Sequence, residues 1–230
     1  MKRYLITGAS RGIGRAIAMK LAGAETTLLL HGRNEQALAR TCKMCEESNA
    51  DAVPLRYDLS DQGQIGAMLD QVGAEPLDAL VNNAGIALVK PFDAITTEEW
   101  QKLIAVNVTA PFLLTQKAAA QMRAGASIVN ILSIAARTGF PGWSGYCMSK
   151  FALEGFSQSL REELRPRGVR VINVYPAATN TDIWDAVEGQ WPRDKMLLPA
   201  EIGDAVAYAL SRPAGVVVEN IDLLNLTGRL

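Results

Sequence analysis

The sequence predicts a single α/β domain over residues 1–230, a doubly wound parallel sheet of about seven strands with helices on both faces. Two observations carry this expectation. Short apolar runs recur at Tyr4–Thr7, Thr26–His31, Ala52–Tyr57, Leu77–Val81, Ser127–Leu132, Val169–Val174 and Val216–Leu223. They are near-continuous in Val, Ile and Leu rather than alternating, as befits strands buried on both faces. Helical patterns lie between them, at about Ile13 to Leu21, at about Glu35 to Glu47, and from near Asp61. A long helix is expected from about Thr97 to Gln121, opened by Thr96-Thr97-Glu98-Glu99, and another from about Ser144 to Arg165, ended by Pro166 and Gly168. No linker, repeat or low-complexity segment divides the chain.

Composition narrows the function. The 230 residues are 49% hydrophobic and 20% charged, with a formal net charge of −1. That is a globular composition and gives no electrostatic case for nucleic acid or an anionic membrane. No apolar run looks long enough to span a bilayer, and the first apolar run is too short for a signal peptide, so a cytoplasmic location is expected. Cys42 and Cys45 fall inside a helical pattern rather than at a helix start after a strand, so they read as free thiols. Zinc would need further ligands, and the single histidine, His31, is far from any cysteine pair. His31 ends an apolar strand with no serine-nucleophile elbow nearby, which argues against hydrolase chemistry; no metal site is expected.

A dinucleotide site is legible at the first strand–helix turn. Thr7-Gly8-Ala9-Ser10-Arg11-Gly12-Ile13-Gly14 follows the first strand and opens the first helix. Glycines there let backbone approach a pyrophosphate, and the helix N-terminus offers free N–H groups and a positive dipole end. The second strand ends Leu30-His31-Gly32-Arg33-Asn34, without the carboxylate that usually holds the ribose of NAD. Arg33, with Arg11 in the loop, suits a 2′-phosphate through planar, charge-assisted pairing, so NADP(H) is expected. Asp58 with Leu59, after the third strand, is placed to meet the adenine edge; Asp58 equally suits capping the helix that starts near Asp61. Asn82-Asn83-Ala84-Gly85 follows the fourth strand, at the sheet edge where such folds bind ligands.

Tyr146 and Lys150 are four residues apart, and on a helix they share a face. A free phenol has a pKa of about 10, and a neighbouring ammonium is expected to lower it toward neutrality. The glycine loop, Asn82-Asn83-Ala84-Gly85, Asn107, Ser133 thirteen residues before Tyr146 (146 − 133 = 13), and Tyr146-x-x-x-Lys150 occur in one order. Together they resemble the short-chain dehydrogenase/reductase family, in its NADP-preferring type, over nearly the whole chain.

The resemblance implies a Rossmann-like domain and NADPH-dependent reduction of a carbonyl to an alcohol, or the reverse. Ser133 would hydrogen-bond the substrate oxygen and Tyr146 would act as general acid/base. Lys150 would hold the nicotinamide ribose and tune Tyr146, and Asn107 would position a water leading from Lys150 to solvent. Pro176 and Thr181 would frame the nicotinamide, although Ala177 stands where the family usually has glycine. Ala135, Phe140, Trp143 and Trp184, with Ile183, Val187 and Trp191, would line an apolar or aromatic substrate pocket; Arg137 and Arg193 are the possible carboxylate clamps. A homodimer or homotetramer is implied, with the tail Asn225-Leu226-Thr227-Gly228 unlike the family's usual Asp-Gly-Gly end. The competing readings are an NAD-dependent alcohol dehydrogenase of the same fold and a non-catalytic dinucleotide-binding regulator.

Overall fold

The computed structural model describes residues 1–187 and 189–226; Thr227 and Gly228 of the tail named above lie outside the described residues. Strands β1 (Lys2–Ile6), β2 (Thr26–His31), β3 (Asp51–Leu55), β4 (Ala79–Asn82), β5 (Ser127–Ile131), β6 (Arg170–Pro176) and β7 (Asn220–Leu223) form one sheet. All neighbours are parallel, in the order β3-β2-β1-β4-β5-β6-β7. The order reverses beside β1, and that switch point opens the cleft for a ligand at the carboxyl edge.

Successive residues of each strand enter two different apolar layers. Leu5, Leu80, Ile128 and Val171 pack with Ile65 and Met68 of α3 (Gln62–Val72) and Leu114 of α5 (Ala110–Gln121). Ile6, Val81, Val129 and Ile172 pack with Ile17 of α1 (Gly12–Leu21) and Ile202 and Val206 of α7 (Pro199–Leu210). Both faces are covered, so both registers of each strand are apolar. Helix α2 (Glu35–Glu46) completes the second layer through Leu38, Cys42 and Cys45. The two thiols are buried, and burial pushes Cys45 up to about 11, away from the reactive thiolate.

The structure revises several sequence expectations. The last strand begins at Asn220 rather than Val216, because Val216 closes a turn onto the Pro213 carbonyl and only four residues pair with β6. Helix α7 matches no apolar run of the sequence reading; it opens with Pro199 and with Glu201 accepting the Leu198 N–H at 2.7 Å. The segment expected as one helix from Thr97 is α4 (Thr97–Ile104), a π-helical turn (Ala105–Thr109) and α5. This 25-residue stretch is long and apolar enough to cross a bilayer, contrary to the reading of the apolar runs, but half of its apolar window is buried within the protein. The helix starts where expected, and its start is a capping box: Glu99 N–H donates to Thr96 Oγ1 (3.2 Å), and Thr96 N–H donates to Glu99 Oε2 (2.9 Å).

Three asparagines stand side by side across the sheet, Asn82 on β4, Asn130 on β5 and Asn173 on β6. Asn82 Nδ2 donates to Asn130 Oδ1 (2.9 Å), and Asn130 Nδ2 reaches Asn173 Oδ1 (3.5 Å). Thr115 of α5 and Ser157 of α6 (Ser144–Leu164) join the row at 3.0 and 2.8 Å. The row is buried, so each lost partner leaves a desolvated group behind. Asn130→Ala is expected to lower unfolding stability by about 2–3 kcal/mol, read as a lower urea midpoint with unchanged slope.

Candidate active site

Every segment singled out in the sequence, apart from α6 and the π turn, follows the carboxyl end of a strand, so the sheet gathers them at one edge. Gly8 and Gly12 have positive φ, +68° and +55°. A Cβ on Gly14 would lie 2.3 Å from the Gly8 carbonyl oxygen, so no larger residue lets α1 start this close to β1. Helix α1 begins without a side-chain cap and without an acidic residue in its first turn, which leaves its N–H groups to a ligand anion. Asn83 locks the other side: its Nδ2 donates to Thr7 O (2.8 Å) and Gly8 O (3.3 Å). Thr7 Oγ1 accepts the N–H groups of Asn83 and Ala84 at 2.9 and 3.0 Å.

Arg11 and Arg33, the two expected phosphate ligands, are exposed. Arg11 pairs with Asp182 (3.1 Å) and Arg33 faces Asp58 (3.9 Å). At the end of β2, a Cβ on Gly32 would fall 1.8 Å from Ser10 Oγ, so a carboxylate there requires Ser10 to turn away. Asp58 does not cap α3. Its Oδ1 accepts from Ser60 N–H (2.9 Å) and Ser60 Oγ (2.8 Å), and these bonds hold its carboxyl below the usual range. Asp61 makes the cap, accepting from Gly63 and Gln64. The Leu59 side chain is in the core, leaving only its backbone for a cofactor.

Tyr146, Ser133 and Lys150 meet at a cavity of about 270 Å³ whose wall also includes Ile13, Asn83, Gly85, Pro176 and Thr181. Ser133 caps a single helical turn, accepting Ala135 N–H at 3.1 Å, and lies within hydrogen-bonding reach of the Tyr146 phenol. The buried Lys150 ammonium donates to Ile131 O at the end of β5 (2.9 Å) and sits 5.7 Å from the Tyr146 ring centre. Burial brings Lys150 down to about 8. Burial also pushes Tyr146 up to about 12, offset in part by the Ser133 hydrogen bond. This corrects the expectation that the lysine draws the phenol toward neutrality: the cost of burying a phenolate outweighs an ammonium held on a backbone carbonyl.

Asn107 is set by the π turn, a feature that recurs at functional sites. Its Oδ1 accepts Ile86 N–H (2.9 Å), and its Nδ2 donates to Ile86 O (2.9 Å) and to Ser149 Oγ (3.0 Å). The side chain therefore braces the segment after Gly85 against α6. The space left by Gly85 faces both groups, since a Cβ there would lie 3.5 Å from Asn107 Oδ1 and 3.8 Å from Lys150 Nζ.

The rest of the cavity is apolar. Ala135, Phe140, Trp143, Ile183, Trp184, Val187 and Trp191 all line it. The tryptophans form one cluster, with ring centres 5.8 Å apart for Trp143–Trp184 and 4.7 Å for Trp184–Trp191, and Trp143 lies edge-on to Tyr146 at 5.5 Å. Trp184 Nε1 donates to Thr179 O (2.9 Å) and Trp191 Nε1 to Val187 O (3.3 Å), so these indole N–H groups are taken by backbone. Neither possible clamp lines the cavity: Arg137 pairs with Asp222, and Arg193 binds Asn180, Thr181 and Asp185. The Ala177 methyl fits, packed in the second apolar layer.

The sequence reading missed His31 and Arg15 as parts of this site. His31 Nδ1 accepts the Gly8 N–H (3.2 Å), which leaves Nε2–H to donate to Tyr57 O (3.1 Å). The ring thus ties the glycine loop to the segment that follows β3. Arg15 holds the same loop from below, donating to Ser10 O and to Thr41 Oγ1 (3.1 Å). Neither had a signal beyond a polar residue at the end of an apolar strand or inside an apolar helix.

A model of the short chain dehydrogenase family matches residues 2–191. The chain is 35% identical to an L-2,3-butanediol dehydrogenase of Corynebacterium glutamicum, over 82% of this chain and 76% of that protein. It is 32% identical to the 3-oxoacyl-[acyl-carrier-protein] reductase FabG of Aquifex aeolicus, over 97% and 96%. Among solved structures, the landomycin C-6 ketoreductase LanV with bound NADP and rabelomycin superposes with a TM-score of 0.84 at 32% identity, covering 96% of this chain and 94% of that one. The chain belongs to the short-chain dehydrogenase/reductase family and is an oxidoreductase of that family.

Burial holds the His31 pKa below its ordinary value near 6.5, so the folded protein favours the neutral ring. Below about pH 6.5 the unfolded chain takes up this proton first, and stability falls as pH drops toward the lower folded value. The melting temperature is expected to fall between pH 7 and 5, with a flatter decline in His31→Gln.

Proposed function

We propose that this oxidoreductase uses NADPH to reduce a ketone or aldehyde with an apolar or aromatic body, and catalyses the reverse reaction with NADP+. The observation that carries the reading is the meeting of three surfaces at one cavity. Ile13 from the glycine-loop turn, Ser133 and Tyr146, and the clustered Trp143, Trp184 and Trp191 all line it. The cradle at Gly8 and Gly14 and the uncapped start of α1 fit a pyrophosphate; Arg11 and Arg33 fit a 2′-phosphate. That LanV was solved with NADP supports the same cofactor.

When bound, NADPH supplies the hydride. Ser133 and Tyr146 hydrogen-bond the substrate oxygen and hold the carbonyl against the cofactor cleft. Tyr146, kept neutral by its raised pKa, delivers its proton to the oxygen as negative charge grows there. Lys150, lowered to about 8 by burial, then returns a proton to the phenolate and is itself resupplied from solvent along the Asn107 side of the site; its ammonium would also hold the ribose hydroxyls of the bound cofactor. The apolar wall takes the substrate body, and the carbonyl is the end that finds hydrogen-bond partners.

Tyr146→Phe is expected to lower NADPH-dependent turnover by roughly 10²-fold or more while NADPH binding by fluorescence titration is unchanged. Retained turnover removes Tyr146 from the acid role. Arg33→Asp is expected to weaken NADPH by about tenfold or more and NADH far less, as loss of a charged hydrogen bond requires. Equal losses for the two cofactors contradict the 2′-phosphate assignment. A panel of aryl ketones, aldehydes, quinones and 3-oxoacyl thioesters assayed by NADPH oxidation tests the substrate class.

A further inference from the structure

Tyr175 is fully buried at the end of β6, one residue before Pro176. Its ring packs with Leu132, Ala136 and Leu153 in an apolar cluster separate from the two main layers. The Arg137 guanidinium lies over the ring, 3.5 Å from its centre, and pairs with Asp222 at 2.9 Å. The phenol has one proton and donates it to Glu154 Oε2 at 2.5 Å, the shorter contact; Asn220 Oδ1 lies at 3.1 Å. Asn173 Nδ2, at the end of the asparagine row, donates to the phenol oxygen (3.0 Å) and to Glu154 Oε2 (3.3 Å).

Three segments that build the cavity meet at this one side chain. Leu132–Arg137 carries Ser133. Helix α6 carries Tyr146 and Lys150, and Glu154 is one turn beyond Lys150 on the same face. The β6 end continues into Pro176, Ala177, Ala178, Thr179 and Thr181, which line the cavity. Tyr175, Glu154 and Arg137 do not line it. Burying a charged hydrogen-bonded group is no more stabilising than an apolar pair of the same volume. What the Tyr175–Glu154 bond adds is direction: one geometry satisfies it, whereas an apolar contact slides.

We propose that Tyr175, with Glu154 and Arg137, is a positioning unit that fixes Ser133 against Tyr146 and against the Pro176–Thr181 segment. Its kinetic consequence rests on the carbonyl-reduction reading; its structural consequence does not.

The test is Tyr175→Phe in the full chain, which removes the hydroxyl and keeps the ring. With a carbonyl substrate and NADPH both saturating, kcat is expected to fall by about 10–100-fold, the size of effect an ångström-scale misplacement produces, with NADPH affinity within about twofold of wild type. Amide hydrogen exchange is expected to quicken in 133–138 and 177–181 and to stay unchanged in β1, β2 and β3. Glu154→Gln, in the chain that keeps Tyr175, retains an acceptor oxygen and is expected to keep most of the wild-type kcat; Glu154→Ala is expected to behave as Tyr175→Phe. A kcat equal to wild type, or exchange that quickens nowhere or everywhere alike, overturns the proposal. If Tyr175→Phe does not fold, Arg137→Met replaces it: the same exchange pattern supports the positioning unit, and its absence overturns it. If wild-type protein reduces no carbonyl, the carbonyl-reduction reading fails, and the exchange pattern alone decides for or against the positioning unit.

Discussion

The burial of one ammonium group governs the site. Lys150 sits under the cavity with its charge out of water, which costs several kcal/mol unless acceptors are supplied. The Ile131 carbonyl is such an acceptor because β5 ends there, and the strand end leaves that oxygen for a side chain instead of a ladder partner. Gly85 keeps the neighbouring space open, and the π turn brings the Asn107 amide to its rim. The same burial that lowers Lys150 raises Tyr146, so the site holds a neutral acid beside a cation whose charge is easily lost. A phenol kept protonated suits delivery of a proton to an oxygen that is gaining charge.

Around that cation the molecule divides its labour between polar ties and apolar surface. The glycine-loop side is made of backbone held by side chains: His31 and Asn83 on Gly8, Thr7 on Asn83 and Ala84, Arg15 on Ser10. The sheet interior is tied crosswise by Asn82, Asn130 and Asn173, and the last tie ends at Tyr175 and Glu154. The tryptophan side of the cavity is largely carbon, and the Trp184 and Trp191 N–H groups are already bound to backbone. Rigid polar scaffolding stands on the glycine-loop side of the cavity, and an apolar wall stands on the tryptophan side.

How much of this the sequence reveals follows from the range of each interaction. The strands that lie between two helical layers are legible because both faces demand apolar residues, and the capping box at Thr96 and Glu99 is legible because it is local. Tyr146, Lys150 and Ser133 line one cavity together with Ile13 from the glycine-loop turn, and an asparagine inside a helix at 107 hints at the π turn without announcing it. The direction of the Tyr146 shift was not legible, since spacing reports a neighbouring charge but not the depth of burial that outweighs it. His31 and Tyr175 were also silent: each acts through partners 20 to 45 residues away, such as Gly8 and Tyr57 or Glu154 and Asn220. Asp58 offered two local roles, and only the fold gave the helix cap to Asp61 instead.

Hydride delivery to a carbonyl carbon, with the oxygen protonated by the protein, leaves a label that can be followed. The decisive measurement uses NADPH carrying deuterium at the transferable C4 position, an aryl ketone as substrate, and mass spectrometry of the product alcohol. Hydride transfer places one deuterium on the carbinol carbon for each NADPH consumed, and an exchangeable solvent proton on its oxygen. Consumption of NADPH without deuterium in the alcohol, or an alcohol labelled from solvent at carbon, would contradict that chemistry.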